Sequence, residues 1–301
     1  MPAFTRTDAL LAIMALIWGV NLVVLKAALD VFEPLAFNAV RFTLASLAMI
    51  GVAMALGHGL PAKRYWGRIV LYGTIGNSIY QLGFIEGLAK TRAGNAALIL
   101  AANPVVTATI SHWLGHERLH WREWSGLLVS GLGVGVIVLG SGQDVTFGAS
   151  RLGDLMVFAA TVCWAIYSIG CQPLIAELGA VPTAAWTLAT GSVLMLFLSV
   201  PDVTTQHWAG LGPAAWGAVL YASFLALVVA YLFWARGVRD VGPIRAAQYS
   251  NATPVFAFLA AWALLREVPT WWQLAGGMSV FAGMYLTRAA AARATTVGPP
   301  E

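Results

Sequence analysis

Two segments decide the fold: Glu117-Arg118-Leu119-His120-Trp121-Arg122-Glu123-Trp124-Ser125-Gly126 and Glu267-Val268-Pro269-Thr270-Trp271-Trp272-Gln273-Leu274-Ala275-Gly276. Each runs Glu, three residues, Trp, four residues, Gly, and the two lie 150 residues apart. The same offset aligns Ala96-Ala97 with Ala246-Ala247 and Pro104-Val105 with Pro254-Val255. Nearer the N-terminus the offset is 146, with Asp8 and Trp18 spaced like Asp154 and Trp164. A single match of this kind arises by chance; a series in common order indicates duplication. The chain therefore divides into residues 1–144 and 145–301.

Composition sets the solvent in which these halves fold. Of 301 residues, 59% are hydrophobic and 10% charged, against about 25% charged in soluble domains. So few charges cannot cover a soluble surface, which argues against a cytosolic enzyme or secreted domain. Disorder needs low hydrophobicity and is excluded as well. A bilayer span takes about 20 apolar residues. Spans are expected at 9–29, 35–57, 68–88, 93–114, 124–140, 152–172, 183–200, 213–235, 243–265 and 271–287, separated by turn-forming segments such as 30–34, 57–61 and 141–150. The first apolar stretch is a full span without a clear cleavage site, so it reads as a helix and not a signal peptide. Cys163 and Cys171 are too far apart along one helix to pair within it.

The net charge of +4 reads as a topology signal, since no basic run of nucleic-acid type is present. With the N-terminus inside, eleven Lys and Arg residues face the cytoplasm and six the other side, which favours both termini cytoplasmic. Trp66, Trp121, Trp124, Trp208, Trp271 and Trp272 fall at span ends, as interfacial anchors do.

Five spans per half is an odd number, so the second half must be inverted relative to the first. The expected class is an all-α polytopic membrane protein of ten transmembrane helices in two inverted five-helix repeats. That is an architecture of secondary transporters, with the substrate site near the midplane where the repeats meet.

The motifs also carry a family resemblance. They are Ile17-Trp18-Gly19, Asn38-Ala39-Val40-Arg41-Phe42, Gly87 through Ala97 leading to Asn103-Pro104-Val105, and Leu114-Gly115-His116-Glu117-Arg118. In the second half they are Gly242-Pro243, Thr253-Pro254-Val255 and Leu265-Arg266-Glu267. The chain resembles the ten-helix, EamA-type branch of the drug/metabolite transporter superfamily over nearly its whole length. These motifs serve packing and span boundaries, so they specify the fold better than the substrate. The resemblance implies an exporter of small metabolites in the bacterial inner membrane, most similar to exporters of aromatic and other neutral amino acids.

Polar groups kept in hydrocarbon are functional candidates. Trp18 and Trp164 lie near the middles of repeat-related spans, with Asn21 and Tyr167 three residues on and sharing their faces. Asn77, Tyr80 and Gln81 form an i, i+3, i+4 stripe; Gln248 and Tyr249 form another with Arg245, and Asn95 is the repeat equivalent of Arg245. Together these predict a substrate cavity with aromatic walls and amide ends, able to hold a small zwitterion. The plainer alternative is tryptophan packing and amides bridging helices. Pro104 and Pro254 deprive the carbonyls four residues earlier of their helical donors, and are expected as kinks or hinges.

Carboxylates are confined to loops, termini and first turns, apart from Glu86, four residues from Lys90 and explicable as an i, i+4 ion pair. Alternating access driven by solute gradients is therefore expected, with Glu86 and His112 the only relay candidates. No GxxxxGK[ST] loop is present, so ATP drives nothing within this chain, and no cofactor or metal is expected. One motif points elsewhere: His116-Glu117-Arg118-Leu119-His120 matches the HExxH pattern of zinc proteases. It falls at a turn between spans, and its repeat keeps Glu267 but has Arg266 and Thr270 in place of the histidines. A channel is a further class that shares the composition. Gly131-Leu132-Gly133-Val134-Gly135 indicates close helix packing, within the chain or between subunits, and oligomeric state stays open. Arg41 reads as a snorkelling side chain near a span end, or as a gate.

Overall fold

The computed structural model describes residues 4–91, 96, 99–116, 119–140, 151–265 and 268–294. All regular structure among them is helical. In chain order the main helices are α1 (Arg6–Leu29), α2 (Pro34–Ala55), α3 (residues 66–90), α4 (Asn103–Trp113), α5 (Trp121–Gly140), α6 (Arg151–Leu178), α7 (Ala180–Leu198), α8 (Pro213–Val241), α9 (residues 243–265) and α10 (Trp271–Ala294). Six of these, α1, α2, α5, α6, α7 and α8, are long and apolar enough to cross a membrane. With many large apolar side chains facing outward, among them Leu132, Phe197 and Met278, the molecule is a multi-pass membrane protein.

Local sequence explains the helix boundaries. Thr5 caps α1, accepting a bond from the Asp8 amide while the Asp8 carboxylate accepts one from the Thr5 amide at 2.6 Å, which satisfies orphan donors of the first turn. Single glycines join α6 to α7 and α8 to α9. Gly179 has φ +93° and Gly242 φ +83°, a region where a Cβ is unfavourable, so each chain reversal takes one residue. Pro104 and Pro254 each stand second in a renewed helical run. Ala102 interrupts the helix before Asn103, and a 3-10 turn, Ser250–Ala252, precedes Thr253.

Two helices depart from α geometry where the sequence shows no warning. Helix α3 contains a π-helical segment, Thr74–Ile79, and α8 contains another, Tyr221–Val229. Each widens a turn in the middle of its helix, a feature common at functional sites.

The packing comes in matched pairs. Helix α2 packs on α7 and α5 on α10, α3 lies against α6 as α8 lies against α1, and α4 meets α6 as α9 meets α1. The α5–α10 contact is the closest kind. A Cβ on Gly133 would stand 2.7 Å from the Gly276 carbonyl oxygen, and one on Gly276 2.5 Å from that of Gly133. In lipid, where apolar surface gains little by leaving the solvent, such small-residue contacts are what holds helices together. Polar side chains add links between helices: Ser78 Oγ donates to the Gly191 carbonyl at 2.6 Å, and Asn251 Nδ2 to Ser130 Oγ at 3.1 Å.

Candidate substrate site

The largest buried aromatic group gathers side chains from both halves. Trp18 of α1 meets Trp164 of α6 edge-on, with centroids 5.9 Å apart. Trp164 also contacts Tyr80 of α3 at 5.0 Å, Tyr167 at 5.4 Å, and Tyr231 and Trp234 of α8 at 5.7 and 5.2 Å. Tyr167 stacks on Trp234 at 5.3 Å. The edge-to-face and stacked arrangements suit the ring quadrupoles. Gly76 leaves room for the Tyr167 ring, which is in contact with the site a Cβ would fill. Trp18 is oriented by the widened turn of α8, its Nε1 donating to the Ala226 carbonyl at 3.1 Å. Tyr221 returns the contact, its hydroxyl donating to the Ile17 carbonyl at 3.1 Å.

Beside this group lies a buried cation. Arg41 of α2 is only 3% exposed, which corrects the expectation of a snorkelling side chain. The guanidinium turns inward because Gln81 offers an acceptor there: Nη2 donates to Gln81 Oε1 at 3.1 Å. Its Cζ sits 5.6 Å from the Phe37 centroid and 5.4 Å from that of Phe42. The phenols of Tyr80 and Tyr231 are within electrostatic reach.

Of the residues expected to line the cavity, Trp18, Tyr80, Gln81, Trp164 and Tyr167 are brought together here. Asn77 lies in the π segment of α3 and donates to the Thr187 carbonyl at 3.2 Å, tying α3 to α7. Asn21 has a buried Oδ1 without a hydrogen bond. Gln248 and Tyr249 belong to other contacts. Gln248 Nε2 donates to Thr287 Oγ1 at 2.7 Å on α10, and the Tyr249 hydroxyl donates to Asp8 Oδ1 at 2.5 Å at the start of α1. Arg245, of the same stripe, pairs with Glu123 at 3.4 Å. Asn95 lies outside the described residues. Sequence reasoning missed Tyr231 and Trp234, although their i, i+3 spacing on an apolar helix repeats that of Trp164 and Tyr167. It also misjudged Arg41, whose inward turn depends on Gln81 of another helix.

Several other described charges are engaged elsewhere. Glu86 pairs with Lys90 at 2.7 Å. Asp8 and Glu123 are buried in the first turns of α1 and α5, and Thr91 hydrogen-bonds Asp154 near the start of α6. The HExxH segment does not continue α4. The helix ends at Trp113 and Gly115 turns with φ +70°; His116 and His120 are exposed, while Glu117 and Arg118 lie outside the described residues. Among the described residues, no cluster of three His, Cys, Asp or Glu side chains is placed to hold a metal ion. Trp121, Trp271 and Trp272 are exposed at helix starts, whereas Trp66 and Trp208 are engaged, donating to the carbonyls of Pro61 and Val203 at 3.1 Å each.

Apolar helices long enough to cross a bilayer thus enclose an aromatic group beside a buried cation. The EamA-like transporter family matches the chain twice, over residues 5–139 and 151–289, and the chain belongs to that family, within the drug/metabolite transporter superfamily. It is 26% identical over 277 residues to a probable terminal-alkyne amino-acid exporter of Streptantibioticus cattleyicolor, covering 92% of this chain and 91% of the relative. It is also 26% identical over 296 residues to a probable amino-acid metabolite efflux pump of Salmonella typhimurium, covering 94% and 95%. Other relatives, in Bacillus subtilis and Archaeoglobus fulgidus, are named only as uncharacterized transporters. A solved crystal structure shares the fold with a TM-score of 0.80 at 19% identity, covering 96% of this chain and 98% of that one.

Proposed function

We propose that this chain is a secondary exporter of small neutral metabolites, specifically amino acids with an aromatic preference. It works by alternating access without ATP, as ten transmembrane helices in two inverted repeats, residues 1–144 and 145–301, with both termini cytoplasmic in a bacterial inner membrane. The paired helix contacts and the double family match are consistent with two repeats. The observation that carries the substrate reading is the group Trp18, Tyr80, Trp164, Tyr167, Tyr231 and Trp234 beside Arg41 and Gln81, drawn from both halves. Aromatic faces bind a planar or apolar side chain, and the polar pair beside them addresses the amino-acid backbone. The names of two relatives point to amino-acid export and agree with this chemistry.

The alternative is export of other small metabolites or drugs in the same fold, since relatives named only as transporters do not single out amino acids. A protease reading would need zinc at His116 and His120, and a channel would need a continuous pore. The test is efflux and counterflow of labelled phenylalanine in proteoliposomes, with Trp18→Ala, Trp164→Ala and Gln81→Ala variants that insert normally. Saturable counterflow lost in these variants is expected. Unsaturable flux, or full transport by all three, would refute the proposal.

A further inference from the structure

Among the described residues, Arg41 carries a charge with no counter-ion. It is buried. Among the described residues, its one hydrogen bond goes to a neutral amide and its Nε has no partner. The rings of Phe37 and Phe42 attract the cation, but a cation–π contact is worth about 0.5–2 kcal/mol, far less than the several kcal/mol it costs to strip an ion of water. Charges kept inside membrane proteins normally pair with one another or line a solute path. One turn before Arg41 on α2, Asn38 is fully buried with neither Nδ2 nor Oδ1 hydrogen-bonded. Unpaired polar atoms thus recur one turn apart on the same helix, α2.

We propose that Arg41 and Gln81 form an anion subsite beside the aromatic group, taking the carboxylate of the solute while the Trp164, Tyr80 and Tyr231 rings take its apolar or aromatic part. Guanidinium is matched to this task, because its planar fork binds a carboxylate through two parallel N–H bonds. Gln81 holds the fork while the site is empty. When the solute enters, the Oε1 contact is exchanged for a charged acceptor and the buried cation is neutralised. The transported class is then an organic carboxylate with an apolar or aromatic substituent, which includes amino acids and excludes their amides and amines. This specifies the ligand of the export reading above and rests on the same residues.

The test uses the purified full-length protein in detergent micelles, with tryptophan fluorescence and thermal stability as readouts. Phenylacetate and L-phenylalanine are titrated against phenylacetamide and L-phenylalaninamide. Acids are expected to give a saturable change and the amides at least about tenfold weaker binding, the equivalent of 1.4 kcal/mol. Arg41→Gln should abolish the preference. Arg41→Lys, which keeps the charge without the fork, should retain it at about tenfold reduced affinity. Equal binding of acids and amides by the wild type, no saturable response to any acid, wild-type preference in Arg41→Gln, or undiminished acid affinity in Arg41→Lys would overturn the proposal. If Arg41→Gln does not fold, the acid–amide comparison and Arg41→Lys decide the matter. A protein that binds phenylacetate yet exports no phenylalanine sinks the export reading and keeps the subsite. Phenylalanine export without acid preference does the reverse.

Discussion

Ser46 and Ser192 meet hydroxyl to hydroxyl at 2.6 Å where α2 crosses α7. They stand 146 residues apart, the offset that also separates Asp8 from Asp154 and Trp18 from Trp164. In the proposed two-repeat arrangement each serine is the counterpart of the other, and their contact falls on the line that relates the halves. The second such contact, α5 on α10, is made by glycines in exchange: Gly133 faces Gly276, and Gly126 faces Gly283. The aromatic group and Arg41 lie among the helices beside the first contact, with side chains supplied by α1, α2 and α3 from one half and α6 and α8 from the other.

Ser192 Oγ is satisfied within its own helix by the Leu188 carbonyl at 2.8 Å, so the link to Ser46 is a supplement. Ser46→Ala is expected to cost about 0.6 kcal/mol, the average for an interhelical hydrogen bond in a membrane. Ser46→Leu must push α2 from α7 and should cost about 1–3 kcal/mol, as overpacking does. Thermal unfolding of the detergent-solubilised variants measures both. Equal stability of Ala and Leu variants would show that the crossing is loose.

Gly131 and Gly133 look alike in sequence and differ in space. A Cβ at Gly131 finds nothing nearer than the Ala101 carbonyl oxygen at 4.0 Å, while one at Gly133 meets the backbone of α10. Gly133→Ala should therefore destabilise by about 1–3 kcal/mol, and Gly131→Ala should leave stability unchanged or slightly raised. The tight glycine packing at Gly133 is thus internal to the chain. Melting temperatures of the two variants in one detergent decide this, and an equal loss at both positions would count against the α5–α10 contact.

Much of the architecture was legible because a membrane helix needs an uninterrupted apolar run, and composition reveals it. The candidate site was legible only in part, for a geometric reason. The stripe Asn77, Tyr80, Gln81 was read with 3.6 residues per turn, but Thr74–Ile79 is π-helical, which takes more residues per turn and shifts the faces. Asn77 accordingly binds α7, while Gln81 reaches Arg41 on α2. The Arg245, Gln248, Tyr249 stripe is divided in another way. Its residues do share a helix, but their partners Glu123, Thr287 and Asp8 stand on three other helices. Nothing local in the sequence distinguishes such a tie from a cavity wall.

The HExxH segment yields a prediction about metal. A zinc protease needs both histidines one turn apart on a helix, whereas α4 stops at Trp113 and the chain turns at Gly115. Purified protein is expected to hold zinc well below one equivalent, and His116→Ala should export substrate like wild type. Stoichiometric zinc lost in His116→Ala, read by metal analysis, would reverse this conclusion.

The π turn of α3 provides the last test. A π turn arises from one extra residue in an α-helix, so deleting one residue restores regular geometry with the flanking runs Trp66–Gly73 and Tyr80–Lys90 in their places. Ile79 is the residue to remove, because its side chain is exposed whereas Gly76, Asn77 and Ser78 are buried. Without the widened turn, Asn77 and Ser78 cannot both keep their bonds to the Thr187 and Gly191 carbonyls, and α3 loses its fixed place against α7. The deletion is expected to insert and remain monodisperse, to melt at a lower temperature, and to lose export by about tenfold or more, an effect of about 1.4 kcal/mol on the transport barrier. Export at the wild-type rate by a folded deletion variant would show that the π geometry of α3 is incidental to transport.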